Sequence, residues 1–147
     1  MNLCVIINYI KFDNHFSYLY NICEMAHIQI DKTIQIHQAL SDATRIRIMR
    51  LLLERELCVC EIVDALEEPQ YKISRHLSVL KNAGLVHDWR EGQWMHYDIA
   101  PDLSESWHVA LNAMRMVWDE SIEVKTALTR LQQRSTRPPG GATSCGG

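Results

Sequence analysis

No apolar run in this chain is long enough to span a bilayer. Its most apolar stretch covers the first ten residues, but Asn8 interrupts it, Lys11 follows, and no small-residue cleavage site comes after. No membrane segment and no secretory leader are therefore expected. Cysteine is present without forming a framework. The five cysteines are an odd number with no spacing that suggests paired disulfides, so a reducing cytoplasm is the expected location. Catalytic constellations are missing as well. No phosphate-cradling loop, nucleophile–base pair or paired carboxylates stand out, and none of the seven histidines pairs at i, i+4 with another ligand type on a helix. An enzyme is not expected.

The chain also lacks a net positive charge, which at first sight argues against a nucleic-acid partner. The formal net charge is −3, but its distribution is uneven. Between Pro69 and Arg90, Lys72, Arg75, Lys81 and Arg90 stand against Asp88 alone, a local +3 that leaves −6 for the remainder. A basic patch of this kind is the electrostatic footprint of nucleic-acid binding even on an acidic chain.

With 147 residues the chain has one domain's worth of sequence. Residues 1–24 show no sustained period, and Met25 opens a segment that reads like an ordinary start. The expected organisation is an extension over 1–24, untranslated or disordered, and a folded domain over 25–133. A Pro/Gly/Ser/Thr-rich disordered tail over 134–147 would carry Cys145. Within the domain, Ile34, His37 or Gln38, and Leu40 predict one face of a first helix. Ser41-Asp42 predicts the cap of a second, with Ile48, Leu51 and Leu52 buried and Arg45, Arg47 and Arg50 projecting elsewhere. A short third helix is predicted from about Val59 to Leu66, with Ile62, Val63 and Leu66 inward.

Glu67-Glu68-Pro69 breaks the chain before a helix from about Gln70 to Ala83, with Ile73, Leu77 and Leu80 as its buried stripe and Gly84 as its left-handed stop. A short helix, a tight break and a basic second helix describe a helix-turn-helix. Leu85–Arg90 and Gln93–Ile99 then predict a hairpin around Glu91-Gly92, a wing with Arg90 near its tip. After Pro101 one long helix is expected to run to about Gln133. Its stripe of Trp107, Leu111, Met114 and Trp118, continuing through Ile122, Lys125 and Leu128, is wide enough to need a partner, for which a second copy is simplest. The fold class is thus mainly α with a small β-hairpin: a winged helix-turn-helix, homodimeric through terminal helices.

Within Glu56-Leu57-Cys58-Val59-Cys60-Glu61, two cysteines stand one residue apart at the start of the short third helix. Cysteines also pack as small hydrophobes, so the spacing alone leaves structural and ligating roles level. As thiolates they would select soft, thiophilic ions, and a helix N-terminus favours the thiolate. Residues i and i+2 lie about 200° apart around an α-helix, so one ion can hold both sulfurs only if the first turn distorts or Cys58 lies outside it. A Cys58–Cys60 disulfide is a lesser, thiol-redox alternative.

Four runs taken in order resemble the ArsR/SmtB family of winged-helix metalloregulatory repressors, with the arsenic-responsive branch most similar. They are Ala39–Ile48, Glu56–Ile62, Ile73–Val86, and Arg90-Glu91-Gly92 leading to Tyr97. The resemblance covers roughly Ile34 to Ile99. It implies a homodimeric transcriptional repressor that binds double-stranded operator DNA and leaves it when As(III) or Sb(III) binds Cys58 and Cys60. Cd(II) or Pb(II) is the alternative effector, and no organic cofactor is implied. The arsenic branch often has a further cysteine where this chain has Val63. The third sulfur would then come from Cys145, Cys23 or Cys4, and cadmium/lead sensors draw such ligands from an N-terminal arm. The family's second metal motif is missing, since Ala100 and Ser104 stand where its histidine would follow Asp98 or Asp102. For DNA contact the helix face and wing nominate Gln70, Tyr71, Lys72, Ser74, Arg75, His76 and Arg90, with Arg75 the foremost base reader. Trp107, Leu111, Met114 and Trp118 are the expected dimer interface.

Overall fold

A computed structural model of the chain describes residues 30–135. Helix α1 covers residues 30–40 and rests on the core through Ile36 and Ala39, with Leu40 packed alongside. The expected face was misplaced. Ile34 is 49% exposed and His37 is turned edge-on to the Trp107 ring, because the row 36/39/40, not 34/37/40, meets the neighbouring helices.

Helix α2 (Ala43–Leu52) starts where the sequence places it. Asp42 is extended, and its Oδ1 accepts the backbone N–H groups of Thr44 and Arg45 at 2.9 and 3.0 Å. Burial opposes ionisation of Asp42, but those N–H groups and the charges of Arg45 and His76 outweigh it and hold the carboxyl below its ordinary range. Ile48, Leu51 and Leu52 are buried as expected, together with Met49. Arg50 is a correction: it is 3% exposed. Its guanidinium forks onto Asp119, with Nε to Oδ1 at 2.5 Å and Nη2 to Oδ2 at 3.0 Å, and its Nη1 donates to Glu54 at 2.5 Å. Burial by itself would lower the Arg50 pKa; these carboxylates raise it instead.

Strand β1 (Leu57–Cys58) leads into α3 (Val59–Leu66), and α4 (Gln70–Asn82) follows after a sharp break. The chain breaks at Glu67-Glu68-Pro69 as expected, with Pro69 as the N-cap just ahead of the first turn of α4; the left-handed conformation of Glu67, φ 52°, is an additional feature of that break. In α4, Ile73, Leu77 and Leu80 are fully buried, and Gly84 closes the turn at φ +67°. The hairpin consists of β2 (Val86–Glu91) and β3 (Trp94–Ile99). Its turn lies one residue later than expected: Glu91 pairs with Trp94, so Gly92 and Gln93 are the turn residues. Gly92 supplies the positive φ of +59° that the first position of a two-residue hairpin turn favours. The sheet also has an unexpected third strand. β1 pairs antiparallel with β3, Leu57 opposite Tyr97 and Cys58 opposite His96, giving the order β1-β3-β2.

The predicted long helix is two helices, α5 (Glu105–Trp118) and α6 (Ile122–Ser135). The last turn of α5 closes with Asp119 N–H on the carbonyl of Arg115, and Ser121 starts α6, its carbonyl accepting from Lys125 N–H at 3.1 Å. The break shifts the buried row. Ile122 is 69% exposed and Lys125 faces solvent, while Val124, Ala127 and Leu131 are buried. Because α6 continues through Ser135, the folded part runs past the expected boundary at 133; the rest of the predicted tail, and the predicted 1–24 extension, lie outside the described residues. Among the described residues no helix is long and apolar enough to cross a membrane.

Candidate metal centre and nucleic-acid interface

The two cysteines meet without distorting the helix. Cys58 precedes the first turn in extended conformation (φ −76°, ψ 155°) as the last residue of β1, while Cys60 lies within α3. Their Cα atoms are 5.4 Å apart and the pair is joined as a disulfide. Of the two arrangements that let both sulfurs converge, the second holds: Cys58 lies outside the helix and does not follow its 100° rotation. Glu61 fixes the junction. Its Oε2 accepts Cys58 N–H at 2.9 Å, and its other oxygen pairs with Arg55 at 2.8 Å. Cys60 is buried and Cys58 half-buried.

Two neighbours of the pair were not anticipated. His96 stands directly across from Cys58 in the sheet, which puts both side chains on one face. Its ring, however, stacks on Trp89 at 5.5 Å, and its Nε2 lies 3.7 Å from Glu91. Arg134, near the end of α6, donates to the carbonyl of Cys60 at 3.2 Å and pairs with Asp64. Cross-strand register and a contact 74 residues away in sequence leave no local signal, so neither could be read in advance. Among the described residues no group of three or more His, Cys, Asp or Glu could hold a metal ion. The donor chemistry suits a thiophilic ion, but two sulfurs are one short of a trigonal set. Cys4, Cys23 and Cys145 lie outside the described residues.

The pair is physically linked to both halves of the outer surface. β1 hydrogen-bonds to wing strand β3, and α3 packs against α4 and, more extensively, against α6. On α4, Gln70, Tyr71, Ser74 and Arg75 are exposed. Tyr71 is 70% exposed, and Arg75 makes no hydrogen bond or ion pair among the described residues. Lys72 is already engaged by Glu68 at 2.9 Å, and this contact holds the Glu68 carboxyl below its usual range. His76 faces Asp42 at 3.5 Å, and Arg90 Nε donates to the Gly92 carbonyl at 3.0 Å at the wing tip. Lys81, counted in the basic patch, instead ties α4 to the wing through Asp88 at 2.5 Å.

The stripe expected to pair two copies is in part covered by the chain itself. Leu111 is fully buried in the chain's own core, and Trp107, Met114 and Trp118 pack half-buried against it. The exposed large apolar residues of α5 are Val109, Met116 and Val117.

This arrangement of a sheet-flanked helix-turn-helix agrees with what the chain is similar to. The sequence profile described as bacterial regulatory protein, arsR family, matches residues 42–88. The cadmium resistance transcriptional regulatory protein CadC homolog of Staphylococcus aureus is 33% identical over 95 residues, 54% of this chain and 78% of that protein. The chain belongs to the ArsR/SmtB family. The arsenical resistance operon repressor of Escherichia coli is 46% identical to this ArsR-family chain over 71 residues, 48% of the chain and 61% of the repressor's length. Among solved structures, Mb0332 from Mycobacterium bovis, a homodimeric winged helix-turn-helix DNA-binding domain, superposes at a TM-score of 0.56. That match has 29% identity and covers 65% of this chain and 85% of the other. These relatives and this fold are those of transcriptional regulators, not of enzymes.

Proposed function

We propose that this ArsR-family chain is a homodimeric, DNA-binding transcriptional repressor that leaves its operator when As(III) or Sb(III) binds Cys58 and Cys60. The observation that carries the reading is the position of the cysteine pair. One sulfur belongs to a residue hydrogen-bonded into the wing sheet, the other to the helix that packs on α4. Binding across the two would fix the angle between wing and recognition helix at a value set by the ion rather than by DNA. Arg75, with Gln70, Tyr71 and Ser74 beside it, would meet base edges in the major groove, while Lys72, His76 and Arg90 would meet phosphate. Moving operator occupancy from nearly full to nearly empty requires a coupling of about 3–5 kcal/mol. The E. coli relative's name supports the arsenic reading, and the S. aureus relative's name supports Cd(II) or Pb(II) as the alternative effector.

The test is a gel shift with the DNA just upstream of the chain's own gene, titrated with As(III), Sb(III), Cd(II), Pb(II) and Zn(II) under a thiol reductant. Release by As(III) or Sb(III), lost in Cys58→Ser and Cys60→Ser, is the expected result. Full binding after saturation with all five ions would overturn it.

The Cys58–Cys60 disulfide favours a second reading, a thiol-redox regulator. In that case two thiols yield two electrons and two protons to a peroxide, which leaves as two waters. Release by peroxide but not by arsenite would select it.

A further inference from the structure

We infer that Tyr71 and Val79 each read a thymine through its C5-methyl group, on either side of a guanine contacted by Arg75. The inference rests on the reading of α4 as the helix that enters the major groove, and it is independent of the effector.

Opposite the buried row of Ile73, Leu77 and Leu80, the middle of the outer face of α4 is formed by Tyr71, Arg75, Val79 and Asn82. Tyr71 and Val79 stand four residues before and after Arg75, each turned from it by about 40° around the helix axis. Tyr71 is 70% exposed and Val79 41%. Isolated apolar groups on a surface are ordinary. These two instead bracket one arginine, and the other exposed residues of the helix, Gln70, Ser74, Ser78, Lys81 and Asn82, are polar.

The charges around them narrow what the face can meet. Lys72 is held by both oxygens of Glu68 at 3.0 and 2.9 Å, Lys81 by Asp88 at 2.5 Å, and His76 faces Asp42 at 3.5 Å. Among the described residues, Arg75 is the one cationic side chain of α4 with no carboxylate beside it. The centre of the face is thus a forked donor between two apolar side chains. In the major groove that fork matches the O6 and N7 acceptors of guanine, and the thymine methyl is the apolar group among the base edges. Four residues advance about 6 Å along a helix, a little under two base steps of about 3.4 Å. With α4 lying along the groove, the thymines fall about two base pairs to each side of the guanine.

Deoxyuridine scanning tests the assignment. The full chain, reduced and without effector, selects its tightest duplex from a random pool, and each thymine in the footprint is then replaced by deoxyuridine, which lacks only the methyl. Two thymines flanking a guanine should each lose affinity about fourfold, the worth of one buried methyl group. Tyr71→Ala should abolish the loss at one of them and Val79→Ala at the other, while Tyr71→Phe keeps it. Both side chains are exposed, so these variants should melt like wild type. A footprint with no sensitive thymine would overturn the inference and leave DNA binding by α4 standing, as would sensitivity that persists in both alanine variants. Wild-type affinity in a triple Tyr71→Ala, Arg75→Ala, Val79→Ala variant, or enrichment of no duplex at all, would overturn the reading of α4 as well.

Discussion

Helix α4 rests on Ile73, Leu77 and Leu80, each fully buried, and its Gln70, Tyr71, Ser74 and Arg75 are exposed. Helix α3, one turn away in the fold, also buries Ile62, Ala65 and Leu66, but both its ends are held by charge. Glu61 pairs with Arg55 at the start, and Asp64 and Glu67 pair with Arg134 and Arg130 of α6 towards the end. Apolar burial is worth kilocalories per side chain, whereas partly exposed ion pairs are worth about 0–1 kcal/mol each. Both helices are therefore anchored by apolar burial; what differs is the outer face, open along α4 and tied by ion pairs to Arg55 and to α6 along α3.

That contrast can be broken at several points. The largest effect is expected at the anchor: Leu77→Ala should cost about 2–5 kcal/mol, read as a fall in Tm or in the denaturant midpoint, with DNA binding lost only as the fold is lost.

Asp119→Asn comes next, at about 1–3 kcal/mol, because it leaves the buried Arg50 guanidinium with Glu54 as its remaining partner. The Arg50 hydrogen bond holds the Asp119 carboxyl below its ordinary value. Its contribution is complete above the unfolded value near 3.9 and is lost as pH falls through the lower folded value. Thermal melts should therefore separate wild type and Asp119→Asn at neutral pH and bring them together in acid below about pH 4. A gap that is independent of pH would remove Asp119 as its cause.

Arg75→Ala should leave Tm unchanged and weaken operator binding by about 1–3 kcal/mol, with relaxed preference at one base position in a competition assay. Equal weakening on all sequences would make Arg75 a phosphate contact instead. The smallest effect belongs to Arg130→Ala. Its partner Glu67 is 66% exposed, so the loss should stay within about 0.5 kcal/mol. A loss above about 1 kcal/mol would show that the clasp between α6 and α3 is stronger than surface pairing allows.

Where a residue's role follows from spacing within one element, the sequence was a good guide. The limits of α3, the stripe of α4, the stop at Gly84 and the cap at Asp42 all follow from period and capping chemistry over a few residues. The α5–α6 break had a signal too, since Ser121 is a residue suited to start a helix and Glu123 lies in its first turn. An apolar period that continued through Ile122 concealed it. Cys58-Val59-Cys60 likewise stood out at once, but its geometry did not. Helical arithmetic left two choices, a distorted first turn or Cys58 outside the helix, and the pairing of Leu57-Cys58 with Tyr97 and His96 decides for the second.

By itself the sequence determined the helix-turn-helix, its basic outer face, the hairpin and the thiol pair, because each depends on side-chain chemistry at short spacing. Tertiary structure decided the rest: the third strand, the burial of Arg50 against Asp119, the burial of Leu111 in the chain's own core and the seat of Arg134 on Cys60. Each of these joins residues far apart in the chain. A helix period says that a face is apolar, not which surface will cover it.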